Sequence, residues 1–208
     1  MIRAITTVVL SVCFVVACTS RTGNTESSDE NRHARHQVSS ATGYADSVNN
    51  GLISKDTMKG SVQRLAMETI GNTHVHIVYS SPGVKGRIIW GGLVPYNTVW
   101  VTGAHTASKI ILNKAIVIDD KTIEAGTYAI FTIPGVKEWI FILNKNHQQH
   151  LADDYSVNED VLRFAVKPYE NAMTQRLTYA VINQGNHDGS IEISWEKIKI
   201  VVPFRTAD

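Results

Sequence analysis

The sequence predicts an all-β domain, an antiparallel two-sheet sandwich of jelly-roll-like form, and three observations carry that prediction. Beyond Lys59 the hydropathy repeats with period two, the apolar runs are short and rich in β-branched and aromatic residues, and Gly, Pro, Asn and Asp separate them. No alternation of strand and helix interrupts the series, so parallel-sheet folds have no support. Two facing antiparallel sheets are the first choice and a closed barrel the second. The 208 residues suffice for one core with tails and leave no room for several domains.

From the amino terminus, Arg3 supplies a short positive region and Ala4 to Val16 an apolar run too short to span a bilayer as a mature helix. This reads as a signal peptide over residues 1–17. The run ends in Val15-Val16-Ala17-Cys18, similar to a bacterial lipobox, which would make Cys18 a lipidated mature N-terminus. The alternative is a plain signal peptide cleaved after a small residue, with Cys18 incidental. Cys13 would be discarded with the signal, so no pair of cysteines remains for a disulfide or a zinc-thiolate site. Thr19 after the cysteine leans toward the outer membrane of a Gram-negative bacterium. Residues 18–59 are polar and read as a flexible, lipid-anchored tether, with His33 and His36 as solvated side chains within it. The β-sandwich domain is assigned to residues 60–208.

Within it the expected strands are Val62–Glu68, Thr73–Ser80, Arg87–Trp90, Thr98–Val101, Ser108–Leu112, Ala115–Ile118, Thr127–Ile133, Trp139–Leu143, Val161–Val166, Leu177–Asn183, Ser190–Trp195 and Ile198–Pro203. Pro134-Gly135 should close a hairpin, and Asp188-Gly189 should end the loop before Ser190. Ile191, Ile193 and Trp195 share one parity, and Ile198, Ile200 and Val202 the other. A turn or bulge at Glu196-Lys197 lets both sets face one core, and we read it as a further hairpin. Only Gln148–Asp160 and Tyr169–Gln175 could hold a helical turn.

Charge and motifs exclude several function classes. A net charge of +1 without a basic run argues against nucleic-acid binding. No Gly-x-Ser-x-Gly elbow, His-Glu-x-x-His, P-loop or Gly-x-Gly-x-x-Gly turn occurs, so the usual hydrolase, protease, kinase and dehydrogenase routes lack support.

Many stretches in one order carry a family resemblance: Tyr79-Ser-Ser-Pro-Gly-Val-Lys-Gly-Arg87, Trp90-Gly-Gly-Leu-Val-Pro-Tyr96, Val99-Trp100, Thr102-Gly-Ala104, Ala125-Gly-Thr-Tyr128, Phe131-Thr-Ile-Pro-Gly135, Glu138-Trp139, Asn144-Lys145, Asp160-Val-Leu-Arg163 and Ser194-Trp-Glu196. They resemble the bacterial envelope family catalogued as domain of unknown function 2911, over about Thr73 to Phe204. The resemblance implies a secreted or lipid-anchored protein of Bacteroidota-type bacteria, with no activity assigned. Val101, His105 and Thr106 stand where the family pattern usually has Arg, Asn and Glu, so a polar site at that position would have altered chemistry here.

Three constellations remain as candidates. His74 and His76 share a strand face at a spacing that suits two ligands of one metal, and His105 could be a third, giving a zinc-dependent enzyme. The competing reading is a solvated pair on an outward face. His147 and His150, followed by Asp153 and Asp154, form a polar group better read as solvated loop. Lys85-Gly86-Arg87 and the segment Trp90 to His105 place rigid aromatics beside an arginine, which suits a sugar, carboxylate or peptide ligand, with Arg87, Tyr96, Trp100 and His105 as candidates. Here the competing reading is architectural, above all for Trp100. The favoured function is a non-catalytic ligand-binding or interaction module held to the membrane by its N-terminal lipid, with a small molecule, glycan or protein as ligand and no cofactor. Zinc belongs only to the enzyme alternative.

Overall fold

The computed structural model describes residues 40–207. The expected signal peptide, Cys18, His33, His36 and the start of the tether lie outside them. Among the described residues one α-helix, α1 (Ser40–Asn49), precedes ten strands: β1 (Val62–Ile70), β2 (Thr73–Ser81), β3 (Ser108–Leu112), β4 (Ile116–Ile118), β5 (Lys121–Ile123), β6 (Gly126–Ile133), β7 (Trp139–Asn144), β8 (Asp160–Val166), β9 (Tyr169–Gly185) and β10 (Asp188–Thr206). They form two antiparallel sheets, in orders β1-β2-β3-β6-β7-β8 and β5-β4-β10-β9. The sheets do not close on each other, so the fold is a sandwich and not a barrel.

Period-two burial generates the core. Along β2, Val75, Ile77 and Tyr79 point inward while His74, His76 and Val78 point out. They join Ile191, Ile193, Trp195, Ile200 and Val202 of β10 in the main cluster. A second, smaller cluster of Val101, Ala107, Ala129, Phe131 and Ile142 lies apart from it, with Ala152 and Tyr155 packed against it. Consequently Ala129–Thr132 of β6 and most of β7 are buried on both faces, and β7 reads as a nearly continuous apolar run. The β6–β7 hairpin forms where Pro134-Gly135 predicted it. Gly135 is required there, since a Cβ would come within 2.3 Å of the Glu138 carbonyl oxygen.

Several expectations are corrected. Arg87–Trp90 and Thr98–Val101 are not strands but turns with isolated bridges, because Lys85, Gly86, Gly91, Asn97 and Thr102 adopt positive φ and break extension. The C-terminal segment is one strand rather than a hairpin. Glu196 takes φ 54° with register shifts on either side, so a bulge alone puts both apolar sets on the core side. The β9–β10 turn sits at Asn186-His187, with φ of 50° and 67°, immediately before the Asp188-Gly189 expected. Tyr169–Gln175 opens β9 instead of a helical turn. The short strand β5 was not anticipated; the Asp119-Asp120 turn before it, with φ of 50° and 58°, lets so short a segment pair back on β4.

The largest correction concerns residues 40–59, expected to be flexible tether. Ala45 and Val48 of α1 are buried, and α1 with the segment that follows it to Met58 forms a strap fixed by the side chains of Arg176 and Arg64. Those contacts define the candidate site.

Candidate functional site

The strap is held by Arg176, a fully buried side chain in β9. Its Nη2 donates to Asp56 Oδ1 at 2.9 Å and to the Met58 carbonyl at 3.0 Å, while Nη1 donates to the Ser81 carbonyl at 3.1 Å. The Tyr44 ring lies 5.6 Å from the guanidinium, and Tyr44 Oη donates to Asp56 Oδ1. Main-chain pairing is completed by Asn49, whose Oδ1 accepts from Arg176 N at 2.7 Å and whose Nδ2 donates to the Arg176 carbonyl at 3.0 Å. Arg64 forms a second tie by binding Asp46, with its Nη1 donating to Thr178 Oγ1 at 3.1 Å. A buried guanidinium needs a paired anion, and among the described residues the strap supplies it.

Beside the strap lies the loop that carries Pro82 to Arg87. Lys85 Nζ donates to the Met58 carbonyl, and Arg87 is exposed with its guanidinium turned onto the Gly83 and Val84 carbonyls. Lys85 lines two clefts. The larger, of about 560 Å³, is bordered by Asn49, Lys55, Asp56, Lys85, Met173 and Gln175 among others; the smaller, of about 240 Å³, is lined by Gly60, Ser61, Gly83, Lys85 and Arg87. Asp56 is already paired with Arg176, so Lys55, Lys85 and Arg87 leave the clefts with cationic character. Of the four ligand-binding candidates, Arg87 is therefore the one placed in this cleft pair.

The others go elsewhere. All four tryptophans of the chain converge: Trp90 lies 4.8 Å from Trp139, 5.8 Å from Trp100 and 5.8 Å from Trp195, and Trp100 stacks on Trp195 at 5.6 Å. Trp100 Nε1 donates to the Gly103 carbonyl at 3.2 Å, so this ring acts as a core plug that also fixes the loop after it. That loop holds Thr102 at φ 49°, a left-handed conformation that a β-branched residue rarely adopts. It is over-determined: Thr102 Oγ1 donates to Thr132 Oγ1 at 3.0 Å, and the Thr102 carbonyl accepts from Tyr179 Oη at 2.7 Å and Ser108 Oγ at 3.0 Å. Burial pushes the Tyr179 hydroxyl well above its ordinary pKa, so it stays a donor. Tyr96 is partly exposed and lies against Gly91, where a Cβ would come within 2.9 Å of its ring. His105 is exposed, and its carbonyl accepts from Leu151 N at 2.8 Å.

The histidines do not form the expected three-ligand set. His74 and His76 border a shallow pocket with Met67, Glu68 and Thr69, and His74 Nδ1 lies 2.8 Å from Thr69 Oγ1. His76 faces the outward side of the sheet opposite Ile111, whereas His105 precedes the other end of β3. At about 3.3 Å per residue, that strand separates His105 from His74 by roughly 15 Å. Among the described residues no three His, Cys, Asp or Glu side chains gather as metal ligands. His147 lies in irregular backbone and His150 in an isolated bridge to Thr106, where His150 Nδ1 approaches Asp153 Oδ2 at 3.6 Å on an exposed surface.

A further polar cluster was visible only as family stretches. Asn144 Nδ2 donates to Asp160 Oδ1 at 2.8 Å, and Asp160 Oδ2 accepts from Tyr155 Oη at 2.6 Å and Arg163 Nη1 at 2.8 Å. Desolvation and then the Asp160 carboxylate push the Tyr155 pKa up to about 12. Every partner is internal, so this cluster ties β7, β8 and the preceding turn together.

The family described as protein of unknown function (DUF2911) matches residues 61–204. The chain belongs to this family. No curated protein and no solved structure matches it. The matched region includes Arg176, Gly83, Lys85 and Arg87, while the strap with Tyr44, Asn49 and Asp56 precedes it. Sequence reasoning missed Arg176 and Asp56 because neither lies in a motif; the available signal was Tyr44, Ala45 and Val48 at helical spacing inside an otherwise polar stretch.

Proposed function

We propose that this DUF2911 protein is a non-catalytic recognition module carried at the cell envelope on a lipidated Cys18, in the outer membrane, and that it binds its ligand in the clefts flanking Lys85. The observation that carries this reading is the loop Pro82–Arg87, which sets two exposed cations between two clefts that share one side chain. Open, cation-edged clefts suit reversible capture of a polar small molecule, glycan or protein segment. Trp100, the aromatic candidate best suited to stack on a sugar, is spent on the core, which moves the weight to Lys85 and Arg87.

Two measurements test it. Amide shifts of the isotopically labelled protein, titrated with anionic, glycan and peptide libraries, should move first at residues 83–87; binders that shift only other regions would overturn the site. Separately, Cys18→Ser should leave the protein out of the membrane pellet after a carbonate wash, because a triacylated terminus anchors firmly and an unmodified one does not. Retention of the variant would overturn the anchor.

A further inference from the structure

We propose that the pocket around Arg176 is a carboxylate-binding site filled in cis by Asp56, so that the strap and an external carboxylate compete for it. The inference deepens the reading of the Lys85 clefts by naming the ligand class, and it rests on that reading only for the route of entry.

The argument begins with an incomplete pairing. Arg176 is fully buried and the Asp56 side chain is 5% exposed, yet one contact joins them, Nη2 to Oδ1. Arg176 Nε and Asp56 Oδ2 are both buried and both lack a hydrogen-bond partner. A guanidinium presents parallel N–H groups that a well-placed carboxylate accepts with both oxygens, and the strap achieves only half of this. Asp56 therefore neutralises Arg176 without fitting it fully.

The receiving half of the pocket belongs to the family-matched domain and the occupant does not. Arg176, the Ser81 carbonyl that orients it and Gly83 all lie within residues 61–204, whereas Asp56 lies before them. Gly83 shapes the cradle: a Cβ there would come within 2.4 Å of Asp56 Oδ2, so only glycine admits a carboxylate oxygen at that point. The 560 Å³ cleft borders Asp56 and is edged by Lys55 and Lys85, which gives a carboxylate a charged path to Arg176 when the strap lifts.

Chemical rescue tests the assignment on the full chain. Asp56→Ala should lower Tm by at least about 6 °C, the shift expected when a buried charge loses its partner in a domain of this size. Sodium formate should then restore several degrees in Asp56→Ala, sodium chloride at equal ionic strength should not, and formate should leave the unaltered chain unchanged. If Asp56→Ala is unfolded in chloride, the readout becomes recovery of its β circular-dichroism signature on adding formate. The proposal falls if formate and chloride act alike on Asp56→Ala, if formate stabilises the unaltered chain equally, or if Arg176→Met in the Asp56→Ala background keeps the formate response. Failure of rescue with ligand shifts still mapping to residues 83–87 removes this inference alone. Rescue without such shifts removes the cleft reading alone.

Discussion

The loop from Trp100 to Ala107 and the loop from Pro82 to Arg87 are both short, glycine-containing family stretches, yet they end in opposite states. In the first, the strained Thr102 is buried and its hydroxyl and carbonyl are fully engaged by Thr132, Tyr179 and Ser108. In the second, Lys85 and Arg87 are exposed and border open clefts, next to a buried ion pair with one nitrogen and one oxygen left over. Strain alone therefore does not mark a binding site here. The Thr102 conformation is stabilised by bonds that leave nothing for a ligand, whereas the Arg176 pocket keeps unused hydrogen-bonding capacity beside an entrance.

Removing the strap should give the largest effect and would break this comparison if it did not. A chain beginning at Gly60 loses Asp56, Asn49 and the buried Ala45 and Val48, and leaves Arg176 without a counter-charge. Breaking a buried pair from one side costs about 3–5 kcal/mol, so Tm should fall by roughly 6–20 °C in thermal melts. A melt within about 2 °C of the full chain would mean that the strap is dispensable and that water satisfies Arg176.

Next come the tryptophans. Trp195→Ala removes a ring that is 1% exposed and touches both Trp90 and Trp100, so it should cost about 3–5 kcal/mol in denaturant unfolding. Because Trp100 stacks on it, the variant should also loosen the Thr102 loop, read as faster amide exchange at residues 100–107. An equal loss of stability with unchanged exchange there would separate the loop's rigidity from the aromatic cluster.

The sandwich class and most strands were legible because inward and outward residues alternate wherever one face is solvated, as in β2. The bulge at Glu196 was legible as a parity change, although parity cannot distinguish a bulge from a turn: both shift the phase by one residue. The strap was not legible, since its two ties, Asp56 to Arg176 and Asp46 to Arg64, each join a strand arginine to an aspartate 120 or 18 residues away, in a stretch whose composition is that of a loop. Of the candidate site, Lys85 and Arg87 could be named from their neighbours in the chain, but their closeness to Asp56 comes from the fold alone.

The Tyr155 cluster offers a smaller, pH-resolved test. Its folded pKa, up to about 12, exceeds the ordinary tyrosine value of 10.0, so the folded state holds this proton more tightly. The stabilisation is fully present below pH about 10 and is lost as pH rises toward about 12. Absorbance titration at alkaline pH should lose one of its late tyrosine transitions in Tyr155→Phe while those of the other raised tyrosines, buried Tyr179 above all, remain, and the stability difference between the two proteins should shrink over that interval. A Tyr155→Phe titration identical to the parent's would place the late transition on another tyrosine.

The smallest effect is expected at His74 and His76. Their side chains lie on the outward face of β2, with His74 Nδ1 already engaged by Thr69 Oγ1, and His105 at the far end of β3. Two imidazoles without a third ligand make a weak, solvent-exposed zinc site, whereas zinc sites that support folding or catalysis use three or four protein ligands. Replacing both histidines by alanine should therefore change Tm by less than about 2 °C, in line with ordinary surface substitutions. A chelator should leave the parent's melt unchanged as well. Stoichiometric zinc in the purified parent, lost in the double variant together with several degrees of Tm, would reverse the comparison by moving the functional weight from the Lys85 clefts to the outer face of the six-stranded sheet.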